Sequence, residues 1–201
     1  MIVHSYKTIF IHINKTAGSS VRNAFHNAVP NEVPHCWKNG SIPDHKTAIT
    51  TKNIVADEIW RDYFKFAFVR NPWDRMVSMY HFRLKKFKIN QSFNEWILWS
   101  EKKRISDDLP LWGQQLDWVR DEDGSIAVDF IGMFETIERD WNYICKKINK
   151  KLELPHHNTS KHVHYSKYYN KTSRFLVEEW HKDDIKMFDY KFENKNIKFF
   201  T

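Results

Sequence analysis

The chain has 201 residues, 41% of them hydrophobic and 28% charged, a balance that excludes intrinsic disorder and allows a core without covalent staples. Lys and Arg number 32 against 25 Asp and Glu, a net charge of +7, which asks for an anionic partner without naming it. Two cysteines, Cys36 and Cys145, exclude a disulfide framework, and no segment reaches the ~20 consecutive apolar residues of a membrane span.

The N-terminal stretch MIVHSYKTIFIHINK has neither the basic leader nor the small-residue cleavage site of an export signal, so a cytoplasmic location is expected. With no repeat or Gly/Ser linker in the sequence, a single domain over 1–201 is expected. Lys7 to Ile13 reads as a buried strand, rich in β-branched and aromatic residues. A polar turn, Asn14 to Ser20, leads to a helix over Val21 to Val29 that Pro30 stops, and Asn31 to Asp44 is a loop. His45 to Asp62 reads as mostly helical and Tyr63 to Val69 as a second buried strand. Arg70-Asn71-Pro72 then turns into a helix over Trp73 to Lys88, with Pro72 suited to the first helical position. Ser92 and Glu95 form a capping box for a helix to Lys103. A third strand is expected over Ala127 to Met133 and helices over Thr136 to Lys150 and Thr172 to Phe188, with Leu154 to Asn170 irregular. This alternation predicts an α/β fold, a P-loop-like parallel sheet flanked by helices on both faces, with ligands at the carboxyl ends of the strands.

Two strand ends carry the chemistry. IFIHI-NKTAGSS-VRNAF runs from a strand through a lysine-bearing turn into a helix. Lys15, the hydroxyls of Thr16, Ser19 and Ser20, and the backbone N–H groups from Gly18 to Ser20 would cradle a phosphate-like anion at the positive end of the helix. Gly18 would allow a close approach of the backbone or a positive φ. The bland alternative, that Ser19 or Ser20 is only an N-cap, leaves the lysine unexplained. The order is not that of a Walker A loop, in which the lysine follows the glycines, so an ordinary ATPase or kinase is disfavoured. In FKFAFVRNPWDRMVSMYHF, Arg70 ends the second strand and can fork onto a phosphate, and Ser78 lies eight residues further on.

Together the two segments resemble the sulfotransferases that use 3′-phosphoadenosine 5′-phosphosulfate (PAPS). NKTAGSS is similar to their 5′-phosphosulfate loop, and VRNPWDRMVSMY to the motif in which an arginine and a serine eight residues later hold the 3′-phosphate. IGMFETIERDW resembles a Gly-x-Phe-Glu segment of that family, and LPHHNTSKHVHYSKYY a C-terminal segment of its carbohydrate-directed branch. Asn14 stands where the family usually has proline, and the tryptophan that follows the loop in aryl and steroid enzymes is replaced by Val21. The resemblance therefore points to the glycan-sulfating branch, in a bacterial relative without an anchor.

The resemblance implies PAPS as sulfuryl donor and adenosine 3′,5′-bisphosphate (PAP) as product. Lys15, Thr16, Ala17, Gly18, Ser19 and Ser20 would hold the 5′ end, Arg70 and Ser78 the 3′-phosphate, and Ser160 and Lys161 would add cofactor contacts. It also implies a base at His45, in DHKTA. Imidazole is suited to the task, being neutral and still able to accept a proton near pH 7. Asp44 and Glu135 are alternatives. The acceptor is expected to be a hydroxyl, most readily that of a glycan. No metal is expected, since His156, His157, His162 and His164 lack a fixed thiolate or carboxylate set. Neither nucleic acid nor an integral membrane segment is expected. The rival reading, a basic nucleotide- or nucleic-acid-binding protein without transfer activity, rests on charge and scattered aromatics alone.

Overall fold

The computed structural model describes residues 1–34, 45–106, 113–155 and 163–193. Where one domain over 1–201 was expected, the chain divides into two compact units: Met1–Arg70 with Gln115–Thr159, and Asn71–Gln114 with Ser160–Thr201.

The first unit holds the sheet. Its strands are β1 (Ile2–Val3), β2 (Thr8–Ile11), β3 (Phe64–Val69) and β4 (Phe130–Met133), in the order β1-β2-β3-β4. β2, β3 and β4 run parallel, and β1 is an antiparallel edge. All four residues of β2 and five of the six in β3 are buried, which is why both read as continuous apolar runs rather than alternating ones. Between β2 and β3 lie α1 (Gly18–Ala28), α2 (Ala48–Lys52) and α3 (Asp57–Asp62); α6 (Leu116–Val119) precedes β4 and α7 (Ile137–Lys147) follows it. On one face of the sheet Phe10, Phe66 and Phe68 pack with Val21, Ala24 and Phe25 of α1 and Trp141, Ile144 and Cys145 of α7. Phe10 and Phe66 stack at 5.0 Å, and Phe25 meets Trp141 edge-on at 5.6 Å. Ile9, Ile11, Ala67 and Val69, which alternate onto the other face, are also buried. The pairing of Ile11 with Ala67 brings both chains out of the sheet at the same end, within a few residues of Lys15 and Arg70.

The second unit is helical: α4 (Pro72–Phe87), α5 (Phe93–Ser106), α8 (Lys171–Trp180) and α9 (Lys182–Met187). Asn71 caps α4 by accepting the N–H groups of Trp73 and Asp74, one residue ahead of Pro72. The Ser92–Glu95 capping box stands as read, with Glu95 accepting the Ser92 N–H at 2.8 Å. Tyr80, Phe93, Trp96 and Tyr169 form an aromatic core here. The tryptophans are mostly structural: Trp73, Trp96, Trp118, Trp141 and Trp180 are all buried, as large apolar surface requires.

Several elements depart from the sequence reading. β2 stops at Ile11 rather than Ile13, because the Ile13 N–H turns back onto the Ile11 carbonyl. β4 starts at Phe130 rather than Ala127. The helix expected over His45 to Asp62 is two short ones, the first capped by Thr47 and ended at Asn53. The last helix is likewise divided, at His181, into α8 and α9.

Candidate active site

The turn after β2 is built from two left-handed residues, neither of them glycine. Lys15 has φ 65° and Ala17 φ 70°, a conformation that costs a side-chain-bearing residue roughly 1–2 kcal/mol. Ala17 is the N-cap of α1 and offers no side-chain cap. The helix therefore starts at Gly18, three residues earlier than the sequence suggested. Ser19 and Ser20 lie inside its first turn, so neither serine is the N-cap. The Ser20 and Val21 N–H groups both return to the Ala17 carbonyl. Thr16 is buried, and its hydroxyl donates to the Ile13 carbonyl at 2.9 Å. That bond ties the turn to the strand end.

Gly18 does not have a positive φ. Its lack of a side chain is demanded by a neighbour instead: a Cβ at this position would lie 1.7 Å from His12 Nε2 and 1.9 Å from its Cδ2. His12, buried at the tip of β2, stacks on Phe10 at 5.4 Å. Burial, then the proximity of His45, holds its pKa well below the ordinary histidine value, so it is neutral at pH 7.

Arg70 is buried at the end of β3, and its surroundings fix its direction. Its Nη1 donates to the Lys15 carbonyl at 3.2 Å, and its guanidinium lies 4.0 Å from the centre of the Phe134 ring. Gln115, fully buried, grips the backbone on both sides: its Oε1 accepts the Arg70 N–H at 2.8 Å and its Nε2 donates to the Arg70 carbonyl at 2.8 Å. The amide thus replaces a strand neighbour where the sheet ends. Gly132, two residues before Phe134, packs so closely on Phe68 that a Cβ there would lie 2.5 Å from that ring. Lys15 is partly buried, and desolvation, followed by the charge of Arg70, lowers its pKa from 10.5 to about 8. Two cations that oppose each other's charge in a dry strand-tip corner form a site that favours an anion.

His45 belongs to the same unit. Its Nδ1 lies 2.9 Å from the His12 carbonyl oxygen, which can only accept. Nδ1 therefore carries a proton, and in the neutral ring the lone pair sits on Nε2. The ring stands 4.4 Å from that of His12 and meets Trp118 of α6 edge-on at 6.1 Å.

Lys15 to Ser20, His45 and Arg70 thus fall together in the first unit. Ser78 lies in the second, buried in α4, and its assignment rests on the sequence motif. Glu135 lies in the short helical turn after β4. Ser160, Lys161, Asp44, Cys36, His156, His157 and His162 lie outside the described residues. Among the described residues no group of three or more His, Cys, Asp or Glu is placed to hold a metal ion, and no helix is long and apolar enough to cross a membrane. Gln115 and Trp118 carried no sequence signal, because they reach the site through space from a segment distant in the chain. Phe134 had one, in the IGMFETIERDW segment, but its contact with Arg70 is visible only in three dimensions.

A family model described as the sulfotransferase family matches residues 1–191. A protein of Archaeoglobus fulgidus, described only as uncharacterized, is 34% identical over 105 residues, which is 51% of this chain and 82% of that protein. No solved structure gives a significant match.

Proposed function

The chain belongs to the sulfotransferase family, and on that premise we propose that it transfers the sulfuryl group of PAPS to a hydroxyl of a carbohydrate, with His45 as the base. The observation that carries the reading is the meeting of Lys15 and Arg70 at the ends of two neighbouring parallel strands, close enough for one to depress the pKa of the other. These two cations are assigned to the two phosphorylated ends of one nucleotide on the likeness of NKTAGSS and VRNPWDRMVSMY to the motifs that hold those ends. The α1 N-terminus and the Lys15 ammonium suit the 5′ end. The guanidinium of Arg70, braced by Phe134 and Gln115, suits the 3′-phosphate, and Ser78 joins it in this reading on the spacing of the motif. The carbohydrate acceptor is supported by the C-terminal segment's likeness to the glycan-directed branch.

The chemistry then follows in one in-line step. The acceptor oxygen bonds to sulfur as the bond from sulfur to the bridging oxygen of the 5′-phosphate breaks. The acceptor proton passes to His45 Nε2, the electron pair leaves with the bridging oxygen, and Lys15 stabilises the charge that gathers there. The products are the sulfate ester and PAP.

His45→Ala is expected to keep PAP affinity and lose sulfuryl transfer by about 10²–10⁴-fold, the range of a general base. Turnover with labelled donor over a panel of glycans, beside PAP calorimetry, reads both quantities. Transfer at the native rate would remove His45 from the mechanism. Absence of transfer from PAPS to every hydroxyl acceptor, by protein that binds PAP, would refute the proposed reaction.

A further inference from the structure

We propose that His12 is a positioning residue that holds the anion loop and the base in register, through its ring toward the loop and through its backbone toward His45. The inference deepens the proposed function and rests on it.

His12 makes both contacts at once. Its ring fills the space beneath the first residue of α1, so closely that Gly18 has no room for a Cβ. Its carbonyl oxygen accepts a hydrogen bond from Nδ1 of His45 at 2.9 Å, and its ring lies 4.4 Å from the His45 ring. Phe10 stacks behind it at 5.4 Å, and that ring is itself locked on Phe66 in the sheet core. The path from core to site is therefore a column of packed rings, Phe66, Phe10, His12 and His45, with the loop resting on its side. A shift of the His12 ring would move the first N–H groups of α1 and the imidazole of His45 together.

The chemistry of the ring fits a positioning task. Its Nδ1 is buried and has no hydrogen-bond partner, a cost that a core residue selected only for packing would avoid. Burial also keeps it neutral. A neutral ring beside His45 adds no fixed charge when that base takes up a proton.

The test is a double-variant cycle: the native protein, Gly18→Ala, His12→Ala and His12→Ala/Gly18→Ala, each read for PAP affinity, kcat and KM, and melting temperature without ligand. Gly18→Ala, which drives a methyl group into the His12 ring, is expected to weaken PAP binding about ten- to a hundredfold, the scale of overpacking a filled site. His12→Ala is expected to weaken PAP binding and to lower kcat by about tenfold, since a displacement of roughly 1 Å at a catalytic group costs at least that much. In the double variant the methyl group occupies part of the space the imidazole leaves. PAP binding should recover about tenfold over Gly18→Ala, a coupling expected only of residues in contact.

Additive effects, or a His12→Ala protein that melts lower but keeps native PAP affinity and kcat, would overturn the proposal and leave His12 a core residue. If the native protein binds no PAP, the proposed function fails by itself. The melting temperatures would then still decide whether His12 and Gly18 are coupled, and the loss of that coupling would overturn the proposal on its own terms.

Discussion

Replacing Lys15 with alanine is expected to lower kcat by about 10²–10³-fold, the magnitude for removing one preorganised group that stabilises developing charge. Affinity for PAP should fall far less, since the α1 N-terminus and Arg70 remain. The reason lies in where the charge appears. In the ground state the 5′-phosphosulfate already carries its charge, spread over many oxygens. In the transition state charge concentrates on the bridging oxygen, and the ammonium of Lys15 is the group of the loop suited to meet it. The same lysine gives a signature in pH. Desolvation and the charge of Arg70 place its pKa at about 8 rather than 10.5. A bound anion favours the ammonium, so PAP binding should take up a proton above pH 8, and affinity should fall as pH rises past 8. Without ligand the sign reverses. Between about 8 and 10.5 the unfolded chain holds the Lys15 proton and the folded one does not, so this group makes stability rise with pH in that window. Lys15→Ala should abolish both dependences and should not lower the melting temperature at pH 7. Calorimetry in two buffers of different ionisation enthalpy measures the proton uptake. An equal kcat, or uptake that persists in Lys15→Ala, would assign the leaving-group role to another residue.

The second large effect is one of selectivity. Arg70→Ala is expected to remove the preference for PAP over adenosine 5′-monophosphate, a loss of about 100-fold in PAP affinity if two charge-assisted hydrogen bonds are given up at ~1.5 kcal/mol each. Affinity for the monophosphate should be nearly unchanged. Arg70 is suited to this selection because nothing about it is loose: Gln115 holds its backbone, Phe134 covers a face of its guanidinium, and the Lys15 carbonyl takes an edge. Arg70→Lys keeps the charge but not the fork, and should restore less than half of the lost free energy of binding. A variant that still discriminates between the two nucleotides would place the 3′-phosphate elsewhere.

How much of this could be read from the chain depends on whether the signal is local. The strand at Phe64–Val69 and the helix at Pro72–Phe87 lie within a residue of their sequence boundaries, because a doubly buried strand is a plain apolar run and Pro72 marks a helix start. Lys15 and Arg70 stand out in the sequence for a related reason: Arg70 directly follows such a run, and Lys15 follows one after the single residue Asn14. The start of α1 was not. Serine normally advertises an N-cap, but here Ala17 in a left-handed conformation begins the helix, and strain of that kind leaves no mark on composition. Gly18 was singled out for backbone freedom, yet its size is set by a histidine six residues upstream. Gln115 meets Arg70 across 45 residues of sequence, and no spacing rule reaches that far.

In the proposed function two cations, one at each of two adjacent strand tips, bind the two ends of a single nucleotide. Titration calorimetry of the native protein with PAP and with adenosine 5′-monophosphate at pH 7 tests it most directly. PAP is expected to bind about 100-fold more tightly, the worth of the extra phosphate on Arg70. Equal affinities for the two nucleotides would contradict it.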